Sequence, residues 1–413
     1  MKKPERSGGW YEKIALGFVV AATGVGAGDM ITGSIAGSKY GVVLVWAALG
    51  GALIKFLLNE GIARWQMATG TTILEGWVGR LGRWIRWVFL VYFLIWSYSV
   101  GGALINACGV AGVGLFPIGD VQTSKIVWGV FHALAGFGLA WFGGFRLFQN
   151  VMSALTALMF VTVIGTIVLL KPDWGSIGRS LFRADLPPHS AVWVLGVLGG
   201  VGGTVTILSY SYWIRGKGRA GRAGLKACRL DLGVGYILTG LFGVAMIIIG
   251  SRIVVEGEGA KVALALADQL GGVLGPAGRW IFLWGFWGAV FTSLLGVWQG
   301  VPYLFVDFMR LRRGGLAAAG ETDLTKTAAY RAFLAALTFV PLHTLWFKVQ
   351  QVQIVYAVLG ALFMPLLALT LLLLNNRRAW VGEFRNRRPL NAALTFVLGL
   401  FLYLGFREII DAF

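Results

Sequence analysis

Long apolar runs constrain the fold of this chain more than any other feature of its sequence. A membrane-spanning helix needs about 20 predominantly apolar residues. Eleven runs approach that length, and we number them as spans 1 to 11 in chain order: 14–36, 42–62, 87–108, 126–143, 151–170, 191–213, 232–249, 280–303, 329–346, 352–374 and 390–409. Of the 413 residues only 13% are charged, against roughly 25% in soluble domains. The sequence therefore predicts an all-α polytopic membrane protein with 11 spans.

The distribution of basic residues predicts the orientation in the membrane. The formal net charge is +18, which is also typical of nucleic-acid-binding proteins. Most Lys and Arg residues, however, fall in the segments that lie on one side of the predicted bundle, as the positive-inside rule requires. We therefore expect no nucleic-acid partner, a cytoplasmic N-terminus and an outside C-terminus in a cell inner or plasma membrane. The first apolar run lacks a cleavage pattern and is expected to remain as span 1.

Enzyme chemistry finds little support in the sequence. It contains no His-Glu-x-x-His pair, no Cys/His cluster and no Gly-x-Ser-x-Gly elbow. The two cysteines, Cys108 and Cys228, are predicted on opposite sides of the membrane, so we expect no disulfide between them. We predict a protein that is not an enzyme, has no cofactor, lies in the lipid bilayer and shows no sign of an obligate protein partner.

Two glycine-rich stretches resemble each other across the chain. Span 1 contains "TGVGAGDMIT" (residues 23–32), and span 6 contains "GGVGGTVTIL" (residues 199–208). Five spans separate them, and because five is odd the second copy would cross the membrane in the opposite direction. The pattern predicts an inverted repeat of 5+5 spans plus one extra helix. The expected segments are 1–170, 171–376 and 377–413.

Glycine-interrupted spans at matching positions of inverted halves are the best sequence indicator of a transport substrate site. Unwound backbone frees carbonyl and N–H groups that can bind a ligand. The candidate residues for binding a substrate or ion lie in these two stretches: Thr23, Gly24, Gly26, Gly28, Asp29, Gly202, Gly203, Thr204, Thr206, Ser209 and Tyr210. The alternative is that the glycines only allow close packing between helices.

Asp29 has two compatible interpretations. Its carboxylate could accept backbone N–H bonds at the start of the second half of span 1, with Thr204 in the same role in span 6. It could also bind a metal cation, since a charge in the middle of a membrane is costly and usually functional.

Other intramembrane polar residues suggest structural roles. In span 2, Asn59 is spaced to hydrogen-bond Lys55, and Glu60 is spaced to pair with Arg64 near the inner surface. An inner gate is the functional alternative for Glu60. His132 in span 4 is expected to form a hydrogen bond between helices.

Three segments resemble the NRAMP (natural resistance-associated macrophage protein) family of divalent-metal transporters. They are "AGSKYGVVLVW" (36–46), "VLGVLGG" (194–200) and "LFMPLLALTLLLLNN" (362–376). The resemblance extends over nearly the whole chain. It implies the leucine-transporter architecture, in which two inverted five-helix repeats enclose the substrate site.

The metal-binding motifs of that family are absent. Its Asp-Pro-Gly-Asn motif is replaced here by Gly26, Ala27, Gly28 and Asp29. Its Met-Pro-His motif is replaced by Gly203, Thr204 and Val205. A thioether favours transition metals, so its loss favours a hard ion such as Mg²⁺. Spans 3 and 6 also lack the acids and histidines through which the family couples transport to protons.

These observations lead to three hypotheses. The first is a secondary transporter for a hard divalent cation, Mg²⁺ or Mn²⁺-like, without the family's proton coupling. The second is a transporter for a small polar organic solute or amino acid, with Na⁺ as a candidate coupling ion. The third is a membrane sensor or structural subunit that keeps the fold and has lost the site.

Overall fold

Helices account for all the regular structure in the described part of the chain. The computed structural model describes residues 10–26, 28–142, 145–252, 261–314 and 324–412. The α-helices are α1 (Trp10–Gly24), α2 (Gly33–Tyr40), α3 (Val45–Thr69), α4 (Ile73–Arg80), α5 (Arg83–Leu115), α6 (Val121–Phe142), α7 (Phe145–Leu170), α8 (Trp174–Arg183), α9 (Ala191–Gly200), α10 (Tyr210–Gly216), α11 (Gly221–Ser251), α12 (Lys261–Gly314), α13 (Ala328–Phe339), α14 (Val349–Asn375), α15 (Arg378–Val381) and α16 (Arg388–Ala412). A spanning backbone in lipid must satisfy its own polar groups, which explains the all-helical outcome.

The number of spans is less sharply defined than the sequence predicts. Within the described ranges, nine helical stretches are long and apolar enough to cross a bilayer. The number becomes ten if Ala154–Leu170 and Trp174–Arg183, which meet at 111°, are one bent span. Part of the difference arises near the N-terminus, where α1 has only 15 residues and Met30–Thr69 forms one helical stretch. The predicted figure of eleven therefore stays a prediction.

Both glycine-rich spans are interrupted. The helical pattern of span 1 stops at Gly24, bends at Val25 and Gly26, and resumes as a π-helical turn, Gly28–Thr32. We call Val25 and Gly26 the first break. Span 6 stops at Gly200, and a non-helical segment, 201–204, precedes a 3₁₀ turn, Val205–Ser209. We call 201–204 the second break.

The second break requires its glycines. Gly202 has φ +85° and Gly203 has φ +79°. These values lie in the left-handed region, where a side chain clashes with the backbone and glycine does not. Two adjacent residues of this kind cannot continue a right-handed helix, so the α9 helix ends here for a local, sequence-encoded reason.

Some glycines of span 1 serve close packing instead. A β-carbon on Gly37 of α2 would lie 2.2 Å from the Ile247 carbonyl oxygen of α11, and one on Gly250 of α11 would lie 2.1 Å from the Ser34 carbonyl oxygen. The second half of span 1 thus lies directly against the backbone of span 7. Both interpretations of the glycines hold, each at different positions.

The packing of long helices positions the two breaks. Helices α1, α2 and α3 pack on α11, while α9 packs on α3 and α14. Helix α12 packs against α5 and α7 and also contacts α1. As a result α5, α12 and α14 surround the region in which the interrupted spans meet.

Candidate functional site

The two breaks are in direct backbone contact. A β-carbon on Gly24 would lie 2.9 Å from the carbonyl carbon of Gly202, and one on Gly203 would lie 3.5 Å from Gly24 Cα. Real side chains do not approach backbone this closely, so only glycine at position 24 leaves the geometry undisturbed. The repeated glycine motifs therefore bring the two interrupted spans together in the middle of the bundle.

A small cavity lies beside this contact. It is lined by Thr23, Gly24, Gly26, Trp96, Leu104, Gly200, Gly203, Thr206, Ser293, Val297 and Tyr356. The space open to the centre of a water-sized particle is about 10 Å³, which is enough for roughly one water molecule. Its described lining contains hydroxyl groups, an indole and backbone, and no charged side chain.

Five of the predicted site residues line this cavity: Thr23, Gly24, Gly26, Gly203 and Thr206. Thr23 donates its hydroxyl hydrogen bond to the Val19 carbonyl oxygen at 2.8 Å. The hydroxyl oxygen of such a group keeps lone pairs and can still accept a hydrogen bond or contact a cation.

Other predicted residues lie next to the cavity or further away. Gly202 packs on the ring of Tyr236, where a β-carbon would lie 2.9 Å from Cε1. Ser209 lies beside Gly300 of α12. Tyr210 is fully buried and donates to the Cys228 carbonyl oxygen at 3.4 Å, at the start of span 7. These three residues are not among those that line the cavity.

Gly28 and Asp29 begin the π-helical turn that follows the first break. The side chain of Asp29 lies outside the described part of the chain, so its predicted cap and its predicted metal contact remain predictions. At Thr204 the predicted cap is wrong, because its side chain forms no capping hydrogen bond. The Thr204 hydroxyl is instead buried without a partner among the described residues.

Several lining residues were not predicted. Ser293 of α12 donates to the Val25 carbonyl oxygen at 3.2 Å and so satisfies an acceptor exposed by the first break. Trp96 of α5 is fully buried, and its indole N–H has no partner in the described chain. Tyr356 of α14 completes the wall. These residues come from spans 3, 8 and 10, where no local sequence pattern marks a site.

The side chain of Lys55, a residue of α3, lies against the C-terminal end of α9, which is the first half of span 6. Its side chain is completely buried, and Nζ donates to the carbonyl oxygens of Gly199 at 2.8 Å and Val201 at 2.6 Å. The predicted hydrogen bond from Asn59 to Lys55 is not formed. Asn59 Nδ2 donates instead to the Tyr236 hydroxyl at 3.1 Å. The Lys55 side chain thus caps a helix end whose carbonyl oxygens the unwound segment would otherwise leave without a donor.

Ion pairs join several helices at the arginine-rich end of the bundle, and one of them involves the second half of span 6. Glu60 of α3 pairs with Arg64 at 2.5 Å and with Arg229 of α11 at 2.8 Å. Glu75 of α4 pairs with Arg215 of α10 at 2.7 Å. The expected Glu60–Arg64 pair is confirmed, and it extends to span 7.

The local sequence of α4 positions Glu75 for its ion pair with Arg215. Thr72 and Glu75 form a capping box, in which the Thr72 hydroxyl accepts from the Glu75 amide and the Glu75 carboxylate accepts from the Thr72 amide. The same Glu75 oxygen that accepts the Thr72 amide also binds Arg215. The start of α4 is therefore coupled to the second half of span 6.

Two further predictions concern residues outside the cavity. His132 forms the expected bond between helices, since the Trp287 indole of α12 donates to its Nε2 at 2.7 Å. Cys108 and Cys228 are both free and buried, in agreement with the expected lack of a disulfide. Among the described residues, no group of three or more His, Cys, Asp or Glu side chains could hold a metal ion.

An all-helical bundle with two interrupted, inversely oriented spans that meet at its centre defines a leucine-transporter-type membrane protein. Comparison with known proteins places it more narrowly. The sequence model of the natural resistance-associated macrophage protein-like (Nramp) family matches residues 17–411. The chain therefore belongs to the Nramp family.

Individual proteins are similar to the chain in sequence or in fold. The divalent metal cation transporter MntH of Chromohalobacter salexigens is 24% identical over 261 residues, which are 61% of this chain and 59% of that protein. A mutant manganese transporter from Eremococcus coleocola has a similar structure, with a TM-score of 0.72, 16% identity, and coverage of 99% of this chain and 89% of that one. The structure of MhsT in complex with L-phenylalanine is similar at a TM-score of 0.57 and 15% identity over the full length of both chains.

Proposed function

We propose that this protein is a secondary transporter that moves a hard divalent metal cation, such as Mg²⁺ or Mn²⁺, through the cavity between the two breaks by alternating access. The contact of two interrupted spans beside an oxygen-lined cavity carries this proposal. At such a point, carbonyl and hydroxyl oxygens can replace part of the hydration shell of an ion. Membership of the Nramp family, and the similarity to MntH and to a manganese transporter, point in the same direction.

The size of the cavity favours an ion over an organic substrate. About 10 Å³ of space admits one water-sized particle, and a free amino acid is several times larger. The oxygen-rich lining, with Gly203 where the family has a methionine, favours a hard ion over a soft one. Asp29 is proposed to supply the negative charge. Coupling to protons by the family's route is not expected, since spans 3 and 6 carry no acid or histidine.

A small polar organic solute is the second candidate, and one observation favours it. Trp96 lines the cavity, and its buried indole N–H has no partner among the described residues. An indole can only donate, so it suits a carbonyl, hydroxyl or carboxylate oxygen of a solute and not a bare cation. In the ion hypothesis the same N–H would bind a water molecule carried with the ion.

Uptake into proteoliposomes distinguishes these candidates. The purified chain is tested with Mg²⁺, Mn²⁺ and a panel of amino acids and sugars. Thr206→Val and Ser293→Ala remove hydroxyls from the lining, and Asp29→Ala removes the acid. Thr338→Val is the matched control, because that buried hydroxyl bonds only within its own helix, to the Leu334 carbonyl oxygen.

The expected result is metal uptake that falls at least tenfold in Asp29→Ala and is lowered in the two lining variants, with Thr338→Val unchanged. Solute uptake without a metal response would replace the first candidate with the second. No flux of any substrate by a folded protein would contradict both and support a sensor or structural subunit. The proposed orientation, with a cytoplasmic N-terminus in the plasma membrane, is tested by protease access to tags at each terminus.

A further inference from the structure

Lys55 is a buried lysine whose role the proposed transport function does not explain. Its side chain is fully buried, and burying an ammonium group costs several kcal/mol, so such groups are rare and usually functional. The residue lies on α3, and its charge reaches across to the second break. Its role is therefore linked to the interrupted geometry of span 6.

Two partners of Lys55 are oxygens that a metal cation could also use. The carbonyls of Gly199 and Val201 belong to the last turn of α9 and its continuation, where the α-helix pattern ends. The C-terminal end of a helix carries partial negative charge, which attracts cations. Unwound carbonyls and half-helix C-termini are the groups that bind Na⁺ in transporters with interrupted spans.

A further acceptor lies one helical turn from Lys55. Asn59 is buried, and its Oδ1 has no hydrogen-bond partner among the described residues. The Nδ2 of the same amide donates to Tyr236, whose ring contacts Gly202 of the second break. The Lys55 amine thus contacts two neutral carbonyl oxygens at the break, and one turn further along α3 lies a buried acceptor that no described group uses.

We propose that Lys55 is a built-in monovalent cation that occupies an alkali-metal position at the end of α9. It supplies permanently the charge that a bound Na⁺ would otherwise bring. Transport by the native protein then needs no sodium ion at this position. Removing the ammonium opens a site for Na⁺ formed by the Gly199 and Val201 carbonyls, with Asn59 Oδ1 as an additional ligand. This inference does not depend on the identity of the transported substrate.

The test measures thermal unfolding of the purified full-length chain in detergent. Each sample is compared in sodium chloride and in choline chloride at equal ionic strength. Lys55→Met removes the charge and the donor, and Lys55→Gln removes the charge but keeps an N–H donor for the carbonyls. Lys55→Arg keeps the charge and is the matched control.

We expect sodium to raise the Tm of Lys55→Met and Lys55→Gln by about 2–4 °C at a concentration ten times the Kd. The native protein and Lys55→Arg should respond by less than about 1 °C by the same reasoning. Adding Asn59→Leu to Lys55→Gln should reduce the response.

Three outcomes would overturn the inference. The first is an equal Tm of the neutral variants in sodium and choline. The second is a sodium response of similar size in the native protein. The third is failure of both neutral variants to fold even in high sodium chloride, since Na⁺ would then not replace the ammonium. This test measures thermal stability and the test of the proposed function measures metal uptake. A negative result in either experiment therefore does not decide the other.

Discussion

Gly24 and Gly202 touch backbone to backbone where the two interrupted spans meet, with only 2.9 Å available between a β-carbon on Gly24 and the Gly202 carbonyl carbon. This contact joins the first half of span 1 to the middle of span 6. Any side chain at position 24 would separate the breaks and change the shape of the cavity beside them.

Gly24→Ala is therefore expected to lower substrate uptake by at least tenfold, because either the breaks separate or the cavity is reshaped. Gly138→Ala is the matched control, since a β-carbon there meets no atom within 4 Å and alanine favours the helix by about 1 kcal/mol. Uptake by proteoliposomes and helix content by circular dichroism are measured for both. Full activity in Gly24→Ala would show that the breaks need not touch.

Trp96→Phe tests the unpartnered indole of the cavity. Loss of one hydrogen bond to the substrate or its water is worth about 0.5–1.5 kcal/mol, so KM should rise roughly 2- to 12-fold with little change in Tm. The control is Trp298→Phe, because that indole is also buried without a described partner but does not line the cavity. Equal effects of the two changes would assign Trp96 a packing role.

The ion pair with Asp231 holds the Arg219 guanidinium, from the segment before α11, next to the Cys228 thiol. Asp231→Asn should raise the rate at which a maleimide labels Cys228, since the loosened arginine no longer covers the thiol. Cys108, which is also buried, serves as an internal standard. Glu383→Gln breaks the exposed pair with Arg222, and pairs of that kind contribute only about 0–1 kcal/mol, so labelling should stay at the native rate. Unchanged labelling in Asp231→Asn would exclude this covering role.

Asp120 links the stability of the first turn of α6 to pH. Its carboxylate accepts hydrogen bonds from the Thr123 hydroxyl and amide and from the Gln122 amide, which lower its pKa below the usual value. Because the folded pKa is the lower one, this stabilisation is complete above the unfolded pKa and is lost as the pH falls through the folded pKa. Hydrogen exchange should show the Gln122 and Thr123 amides losing protection below about pH 4. Asp120→Ser caps without titrating, so it should lose this pH dependence.

The sequence predicted the architecture because its main signals are local. Span length follows from runs of neighbouring apolar residues, and each interruption follows from glycines within its own motif. Five of the eleven lining residues of the cavity followed as well, since Thr23, Gly24, Gly26, Gly203 and Thr206 belong to those motifs.

The remaining lining residues depend on long-range packing. Trp96, Ser293 and Tyr356 reach the cavity from spans whose sequences look uniformly apolar, and only the three-dimensional arrangement selects them. Lys55 illustrates the same limit. Its spacing suggested Asn59 as a partner within one helix, while the carbonyls freed by a distant break provide stronger electrostatic attraction for an ammonium.

The close packing of α2 on α11 restricts how these helices can move. With Gly37 and Gly250 leaving no room between the two backbones, the second half of span 1 cannot slide or tilt independently of span 7. Helix α1 is seated on α11 in the same way, since a β-carbon on Gly17 would lie 2.4 Å from the Asp231 carbonyl oxygen. Both sides of the first break are therefore anchored on one long helix, and a movement of α11 would carry them together.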